Sequence, residues 1–214
     1  MAEPYIIWDW NGTLLDDVDS AVRALNRMLG VRGLPPTTRQ YYREHFGFPV
    51  RPFYAELGVD LAHEDWDRIC VDFHRFVDDE PKELRTDAVQ ALADAHAAGT
   101  GQSILSALRE DLLRRDVAAA GIAGMFDEIF GVDNLDGATK LSRGHELVSS
   151  LGARAAGTLF FIGDTLHDAD VARELGARCI LVEGGHQSRA RLETASVPVA
   201  DSLRAAVQIV LRAA

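Results

Sequence analysis

The sequence predicts an α/β fold in which helices cover both faces of a parallel β-sheet. Short apolar runs of strand length alternate along the chain with longer segments whose apolar residues recur at helical spacing. Such alternation is typical of parallel sheets. Two of the runs, Tyr5–Trp8 and Thr158–Ile162, lead directly into carboxylates and small residues. Because open α/β sheets bind ligands at the carboxyl ends of their strands, these two junctions predict the position of the functional site.

Composition restricts the kind of protein and the kind of partner. The 214 residues include 47% hydrophobic and 26% charged side chains, which is typical of a soluble globular protein with a substantial core. The net charge of −11 argues against nucleic acid or an anionic membrane as a partner, since clustered cations neutralise phosphate groups. We expect a cytoplasmic protein, because we find neither a secretory signal pattern nor an apolar run of bilayer-spanning length.

The first predicted strand, Tyr5–Trp8, ends in Asp9 and the polar turn Asn11–Thr13, and a helix is predicted over Val18–Leu29. Backbone N–H groups of a glycine-containing turn can surround phosphate oxygens, and a carboxylate such as Asp9 can bind Mg²⁺. A carboxylate can also attack phosphorus and form an aspartyl-phosphate. This junction is therefore a candidate site for an anion and a metal.

Two further helices are predicted at Arg39–His45 and Glu64–Val77. Between them, Gly and Pro should keep the aromatic-rich stretch His45–Tyr54 irregular. Four side chains in this stretch are candidates for lining a substrate pocket, although core packing is equally open for the aromatic ones. They are Phe46, Phe48, Arg51 and Tyr54.

After Pro81 the pattern becomes a regular alternation of helices and strands. Helices are predicted at Leu84–Ala97, Leu108–Ala119, Leu141–Leu151, Ala169–Leu175 and from Ser202 onward. Strands are predicted at Gln102–Ser106, Glu128–Gly131, Thr158–Ile162, Cys179–Val182 and Val197–Val199.

The first two strands are separated by far more chain than a simple βαβ unit needs. Asn11 and Ser106 lie 95 positions apart, whereas such a unit uses about 30 residues in all. Because the surplus is helical in pattern and carries its own apolar stripes, we interpret residues 16–80 as an inserted helical cap. Residues 1–15 and 81–214 then form the core domain. The ends of the insertion should lie close together above the site.

Polar residues also follow the later strands. Ser106 ends the second predicted strand, where it could bind phosphate or cap the helix from Leu108. Asp164 and Asp168 follow the strand Thr158–Ile162. Two carboxylates at one strand end cost electrostatic energy unless a cation lies between them. This pair therefore predicts a metal site.

These junctions resemble, in order along the chain, the four motifs of the haloacid dehalogenase-like hydrolase superfamily. Asp9–Thr13 is similar to the first motif, Asp-x-Asp-Gly-Thr, and the strand ending in Ser106 is similar to the second. Lys140 stands where the third motif has its lysine, and Gly163–Asp168 is similar to the fourth. The resemblance covers essentially the whole chain. It implies a Rossmann-like sheet core with an inserted α-helical cap, as in phosphoglycolate-phosphatase-like members.

The resemblance implies a phosphatase that hydrolyses a small phosphorylated metabolite with Mg²⁺ as cofactor. Asp9 would be the nucleophile, and Lys140, with Arg143 as the alternative, would offset charge on the phosphoryl oxygens. The implied phosphate-binding residues are Gly12, Thr13, Ser106, Ala107 and Lys140. The implied metal-binding residues are Asp9, Asn11 through its backbone carbonyl, Asp164, and Asp168, which would act through water or by orienting Lys140.

The chain departs from the first motif at Asn11, where the family's phosphatases have a second Asp. In those enzymes this carboxyl protonates the leaving oxygen and later deprotonates water. An amide has no usable proton near neutral pH, and general acid–base catalysis is typically worth about 10²–10⁴-fold. The enzyme could be slow, or it could act on acyl or phenolic phosphates, whose leaving groups need no proton. Another group could also substitute, the candidates being Asp16, Asp17, His167 and His186.

Other activities fit the sequence less well. A dehalogenase would leave the Asp164 and Asp168 pair unexplained, and a phosphomutase should need a carboxylate at position 11. Phosphonate cleavage would need a reactive lysine in the cap, yet residues 16–80 contain no lysine. A phosphate-ligand-binding relative without turnover stays open because of Asn11. The particular substrate and the choice between monomer and homodimer are also open.

Overall fold

At the centre of the protein lies a six-stranded sheet, seen here in a computed structural model that describes residues 3–133 and 139–213. All neighbouring strands are parallel, and their order is β3-β2-β1-β4-β5-β6. The strands are β1 Tyr5–Trp8, β2 Gly101–Arg109, β3 Glu128–Val132, β4 Leu159–Gly163, β5 Arg178–Val182 and β6 Val199–Ala200. The predicted α/β fold with a parallel sheet is confirmed.

Ten α-helices accompany the sheet within the described part of the chain. Those in the first part are α1 Val18–Gly30, α2 Arg39–His45, α3 Arg51–Glu56 and α4 Trp66–Asp78. Those in the second part are α5 Ala88–Ala97, α6 Glu110–Ala119, α7 Lys140–Leu151, α8 Leu166–Glu174, α9 Arg189–Leu192 and α10 Leu203–Ala213. Within the described ranges, no helix has the length and apolar character needed to cross a membrane.

Alternate side chains of β1 pack on opposite faces of the sheet. Ile6 and Trp8 belong to a core shared with α5, α6 and α10, whereas Tyr5 and Ile7 belong to a core shared with α7 and α8. Because both faces are covered, all four residues of β1 are buried, as is typical of central parallel strands. The strand order reverses between β1 and β4, so a crevice lies at the carboxyl ends of these two strands.

Helices α1–α4, which we call the cap helices, pack around a hydrophobic cluster of their own. The buried members of this cluster all lie between Val18 and Phe76. The two connections to the sheet run side by side, because Asp16 donates its N–H to the Glu83 carbonyl at 2.8 Å and Arg85 donates to the Leu14 carbonyl at 2.9 Å. This arrangement is compatible with a cap at 16–80, although the domain boundaries themselves stay a prediction.

Three local predictions were wrong. The stretch predicted to be irregular as far as Tyr54 contains helix α3 from Arg51, because Pro52 lies in the first helical turn, where no backbone N–H is required. Helix α5 begins at Ala88 rather than Leu84, because Leu84 pairs with Leu15 instead. Strand β2 continues past Ser106, so α6 begins later and Ser106 does not cap it.

Candidate active site

Three carboxylates meet in the crevice between β1 and β4. Asp9 directly follows β1, Asp164 directly follows β4, and Asp168 lies in the first turn of α8. One oxygen of each carboxylate lies within 4.8 Å of the others, and all three side chains are buried. The adjacent strand ends bring them together, since the Asp9 N–H bonds to the Ile162 carbonyl at 2.8 Å.

Lys140 connects two of these carboxylates. It is the first residue of α7, and its buried Nζ donates to Asp9 Oδ1 at 2.5 Å and to Asp168 Oδ1 at 2.6 Å. Burial alone would lower the pKa of Lys140, but the two carboxylates raise it above its ordinary value, so the side chain is a cation. The other oxygen of Asp168 accepts from the backbone and hydroxyl of Thr165, which fixes the Asp168 side chain.

The remaining negative charge of the cluster fits a divalent cation. Burial raises the pKa of Asp9 to about 8 although Lys140 acts in the opposite direction, and burial raises the pKa of Asp164 to about 6 against the charge of His186. Both shifts arise chiefly because burial disfavours the charged form of a carboxyl group, and a bound cation would offset that cost. Hard oxygen donors grouped in this way are the ligands that Mg²⁺ prefers.

Asn11 faces another carboxylate, Asp17, at the start of α1. Asn11 Nδ2 donates to Asp17 Oδ2 and the Gly12 N–H donates to Asp17 Oδ1, both at 2.7 Å. His186 Nε2 lies 3.2 Å from Asp17 Oδ1, and its Nδ1 lies 2.9 Å from the Tyr42 hydroxyl. Burial alone would raise the pKa of Asp17, but His186 and the other donors hold it below its ordinary value. Burial alone would lower the pKa of His186, whereas Asp17 raises it to about 9.

Gly12 and Thr13 bond to carboxylates of the site. The Gly12 N–H donates to Asp17, and the buried Thr13 hydroxyl donates to Asp164 Oδ1 at 3.2 Å. Both donors orient these carboxylates, and phosphate binding by the two residues stays a prediction. The turn itself requires glycine, since Gly12 has φ 73° and an added Cβ would lie 2.2 Å from Asp164 Oδ2.

A cavity of about 150 Å³ extends from the carboxylates to the cap helices. Ser106 and Ala107, in the second half of β2, line it on the sheet side, and their binding of phosphate stays a prediction. Phe46, Phe48 and Tyr54 line it on the cap side.

The predicted role of Arg51 needs correction. It is not among the residues that line the cavity, because its guanidinium lies over the Trp66 ring, 4.6 Å from the ring centroid.

The four proposed substitutes for a carboxyl at position 11 are placed differently. Asp17 and His186 line the cavity beside Asn11, whereas the Asp16 side chain is exposed. The ring of His167 packs against Phe48 with centroids 4.9 Å apart. Arg143, the alternative to Lys140, bonds instead to Glu110 and to the Gly131 carbonyl.

Sequence reasoning missed two residues that connect the cap helices to the loop after β5. They are Tyr42, described above, and Gln187, whose Oε1 accepts from the Leu166 N–H and whose Nε2 donates to the Phe46 carbonyl, both at 2.9 Å. These contacts join positions more than 140 residues apart, and neither residue lies in a recognisable motif. No local pattern could have indicated them.

Comparison with known proteins agrees with this architecture. A family model described as haloacid dehalogenase-like hydrolase matches residues 6–182. A relative named "Probable phosphatase IndB" from Dickeya dadantii is 25% identical over 206 residues, covering 92% of this chain and 88% of that protein. A phosphoglycolate phosphatase from Caulobacter vibrioides is 26% identical over 193 residues, covering 85% of this chain and 79% of that protein.

A solved structure is also similar over the whole chain. The crystal structure described as a predicted phosphatase from Clostridium acetobutylicum superposes with a TM-score of 0.80, covering 99% of this chain and 100% of that one. Its sequence is 18% identical, so this likeness concerns the fold alone.

Proposed function

The chain belongs to the haloacid dehalogenase-like hydrolase family, and we propose that it is a Mg²⁺-dependent phosphatase that cleaves small phosphate monoesters through an aspartyl-phosphate on Asp9. The observation that carries the proposal is the buried group of Asp9, Asp164 and Asp168 with Lys140 bonded to two of its members. The names of the two relatives, both phosphatases, support the same reaction class.

The reaction can be written with the residues of this chain. A carboxylate oxygen of Asp9 attacks phosphorus, the bond from phosphorus to the ester oxygen breaks, and its electron pair leaves with that oxygen. Lys140 holds the Asp9 carboxylate in place and offsets charge on the phosphoryl oxygens. Ser106, at the cavity wall, is the proposed hydroxyl donor to the phosphoryl group. Water then attacks phosphorus, which releases phosphate and restores the carboxylate.

The proposed metal-binding groups are Asp9, Asp164 and the backbone carbonyl of Asn11. When bound, Mg²⁺ supplies positive charge that neutralises the carboxylates and the phosphate. Both oxygens of Asp168 are already hydrogen-bonded, one to Lys140 and the other to Thr165, so we assign it to positioning Lys140. Thr13 and the His186 N–H orient Asp164.

A second function is favoured by one specific observation. Asn11 carries no proton to donate, and its amide is bound to Asp17. A relative that binds a phosphate ligand without turning it over would need the charge arrangement of the site but no acid at position 11. Only the first function includes turnover, so a measurement of phosphate release distinguishes the two.

The test is Mg²⁺-dependent release of inorganic phosphate from phenyl phosphate by the purified protein. We expect turnover that is abolished by EDTA and restored by Mg²⁺, and that is lost in Asp9→Asn because the nucleophile is removed. Asp19→Asn is the matched control, since this carboxylate lies at the exposed start of α1 and pairs with Arg39. Full turnover by Asp9→Asn would disprove the assigned nucleophile, and binding of phosphate without turnover would favour the second function.

A further inference from the structure

The cavity above the carboxylates has apolar walls. On the cap side, hydrocarbon and aromatic side chains make up most of its surface, among them Leu25, Phe46, Phe48, Val50, Phe73 and Val77. They come from helices α1 and α4 and from the segment before α3. A substrate whose phosphoryl group reaches Asp9 must therefore place its organic part against apolar surface. Burying a charged or strongly polar group there without a partner would be unfavourable.

The cations that line the cavity are already paired. Lys140 is bonded to Asp9 and Asp168, and His186 lies against Asp17. Among the described lining residues there is no arginine, and Lys140 is the single lysine. His74 is the remaining basic side chain that lines the cavity. Turnover of an ester with a second negative charge tests whether His74 binds an anion. A second anionic group on the substrate, such as a carboxylate or another phosphate, would thus enter a cavity lined by four carboxylates, where Lys140 and His186 are already engaged.

Asn11 restricts the chemistry of the same organic part. Asn11 has no proton to give the leaving oxygen. Asp17 accepts hydrogen bonds from Asn11 and Gly12, and both ring nitrogens of His186 are bonded to Asp17 and Tyr42. The leaving oxygen therefore departs as an anion. A phenolate is a much weaker base than an alkoxide. The pKa of a phenol is about 10, whereas an alkyl alcohol is about as weak an acid as water, whose pKa is about 15.7. The site therefore favours an ester whose leaving oxygen is attached to an aromatic ring.

The geometry points to a substrate class, and we propose that the protein acts on phosphate monoesters of small, uncharged phenols. This inference rests on the function proposed above and specifies its substrate. The phosphoryl group lies at Asp9 and Lys140, and the aromatic ring lies against the apolar wall to which Phe46, Phe48 and Val50 belong. The cavity of about 150 Å³ has to hold the phosphoryl group as well, so the organic part is small, no larger than about one ring, since an apolar protein cavity of that order can hold benzene.

The step balances with the groups named. Asp9 forms a bond to phosphorus while the bond from phosphorus to the phenolic oxygen breaks, and the electron pair leaves on that oxygen as a phenolate. The phenolate takes its proton from solvent after it departs. Water then hydrolyses the aspartyl-phosphate, so the net products are a phenol and inorganic phosphate.

The first test compares two esters of similar size that differ by one charge. With Mg²⁺ and the full chain, we expect kcat/KM for phenyl phosphate to exceed that for 4-carboxyphenyl phosphate by at least tenfold. The carboxylated phenol is the slightly better leaving group, so intrinsic reactivity favours the charged ester. A preference for the uncharged ester would therefore arise from the apolar walls and the negative charge of the cavity. Phosphoglycolate, which has a carboxylate and an alkyl leaving group, should be poorer still.

The second test places a cation on the cavity wall. Val50→Arg should reduce or reverse the preference for the uncharged ester, because the new guanidinium would pair with the carboxylate. Val71→Arg is the matched control, since it makes the same change on the exposed face of α4, where Val71 is 52% exposed. We expect the control to keep the preference of the wild-type protein.

Competitive inhibition of the wild-type protein tests the substrate class without any variant. Phenylphosphonate should compete with substrate at a concentration at least tenfold lower than phosphonoacetate does. Equal or faster turnover of the charged esters, or tighter inhibition by phosphonoacetate, would overturn the substrate class and leave the phosphatase function intact. Absence of turnover with every ester would overturn the phosphatase function and this inference together.

Discussion

At the residue scale, the proposed departure of the leaving oxygen as an anion depends on Asn11. Its amide donates to Asp17, so Asn11→Asp would place a second carboxylate against Asp17 and make the two share a proton. The double variant Asn11→Asp with Asp17→Asn exchanges the two side chains and preserves one hydrogen bond between them. It offers an acid at position 11 and keeps a hydrogen bond between positions 11 and 17, although it removes the carboxylate that faces His186.

We expect this double variant to change the relative rates of two uncharged esters. Benzyl phosphate has an alkyl leaving group, and its turnover should rise at least about tenfold more than that of phenyl phosphate, because general acid catalysis helps poor leaving groups most. The measurement is the ratio of kcat/KM for the two esters in wild type and variant. An unchanged ratio would mean that position 11 does not face the leaving oxygen.

The residues of the site differ in how far the sequence predicted them. The positions of Asp9 and Asp164 followed from strand ends, because the carboxyl ends of neighbouring parallel strands meet at one edge of the sheet. The role of Lys140 in offsetting charge at the site was implied by resemblance alone. Asp17 and His186 were named only as candidates to replace an acid at position 11, and their hydrogen bonds were not predicted. The contact between His186 and Asp17 depends on the path of a loop almost 170 residues away.

At the element scale, the turn between β1 and α1 leaves no room for a side chain at Gly12. Gly12→Ala would put a methyl group 2.2 Å from Asp164 Oδ2 and 2.5 Å from His186 Cδ2, besides straining a backbone at φ 73°. We expect kcat/KM to fall about 10²-fold, the loss that a displacement of about 1 Å can cause. Steady-state kinetics and thermal denaturation measure the two effects.

Gly33→Ala is the matched control for that turn. Gly33 has nearly the same backbone conformation, φ 68°, but an added Cβ would meet nothing within 4 Å. The control therefore has the backbone strain without the crowding, and its activity should stay close to that of the wild-type protein. Equal losses in the two variants would show that crowding at Asp164 is unimportant.

The predicted ends of helices and strands are wrong where a tertiary contact overrides the local sequence pattern. Strand β1 is a continuous apolar run, and its predicted bounds agree with the structure. Strand β2 extends to Arg109, because Arg109 pairs with Val132 of β3, and no sequence pattern encodes that register. Likewise, Leu84 has good helical neighbours but is held by Leu15. Local propensity is a weak prior wherever such long-range pairing competes with it.

At the scale of the whole molecule, a bound divalent ion should stabilise the fold. At a free Mg²⁺ concentration 100 times its dissociation constant, the gain is about 2.7 kcal/mol. Each kcal/mol raises Tm by about 2–4 °C for a chain of 150–250 residues, so we expect a shift of about 5–10 °C relative to EDTA. Thermal denaturation followed by circular dichroism measures it without any need for turnover.

Asp164→Asn separates this stabilisation from other effects of salt. The variant removes a buried negative charge but also one of the two acceptor oxygens bonded by Thr13 and the His186 N–H. Its metal-free Tm is therefore measured as its own reference, against which we expect the Mg²⁺ shift to disappear. Asp170→Asn is the control, because Asp170 is exposed and pairs with Arg173 on the surface of α8. A full Mg²⁺ shift in Asp164→Asn would contradict the proposed metal ligands.

The paired connections at Leu14–Asp16 and Glu83–Arg85 have a consequence for the protein's ancestry. The chain leaves the sheet and rejoins it at one spot, so a helical module of different shape could be spliced in there without moving a strand. The residues that bind the organic part of the substrate can then change in evolution independently of the residues that carry out the reaction. A related protein that exchanged this helical module would acquire a different substrate preference and keep the same carboxylates.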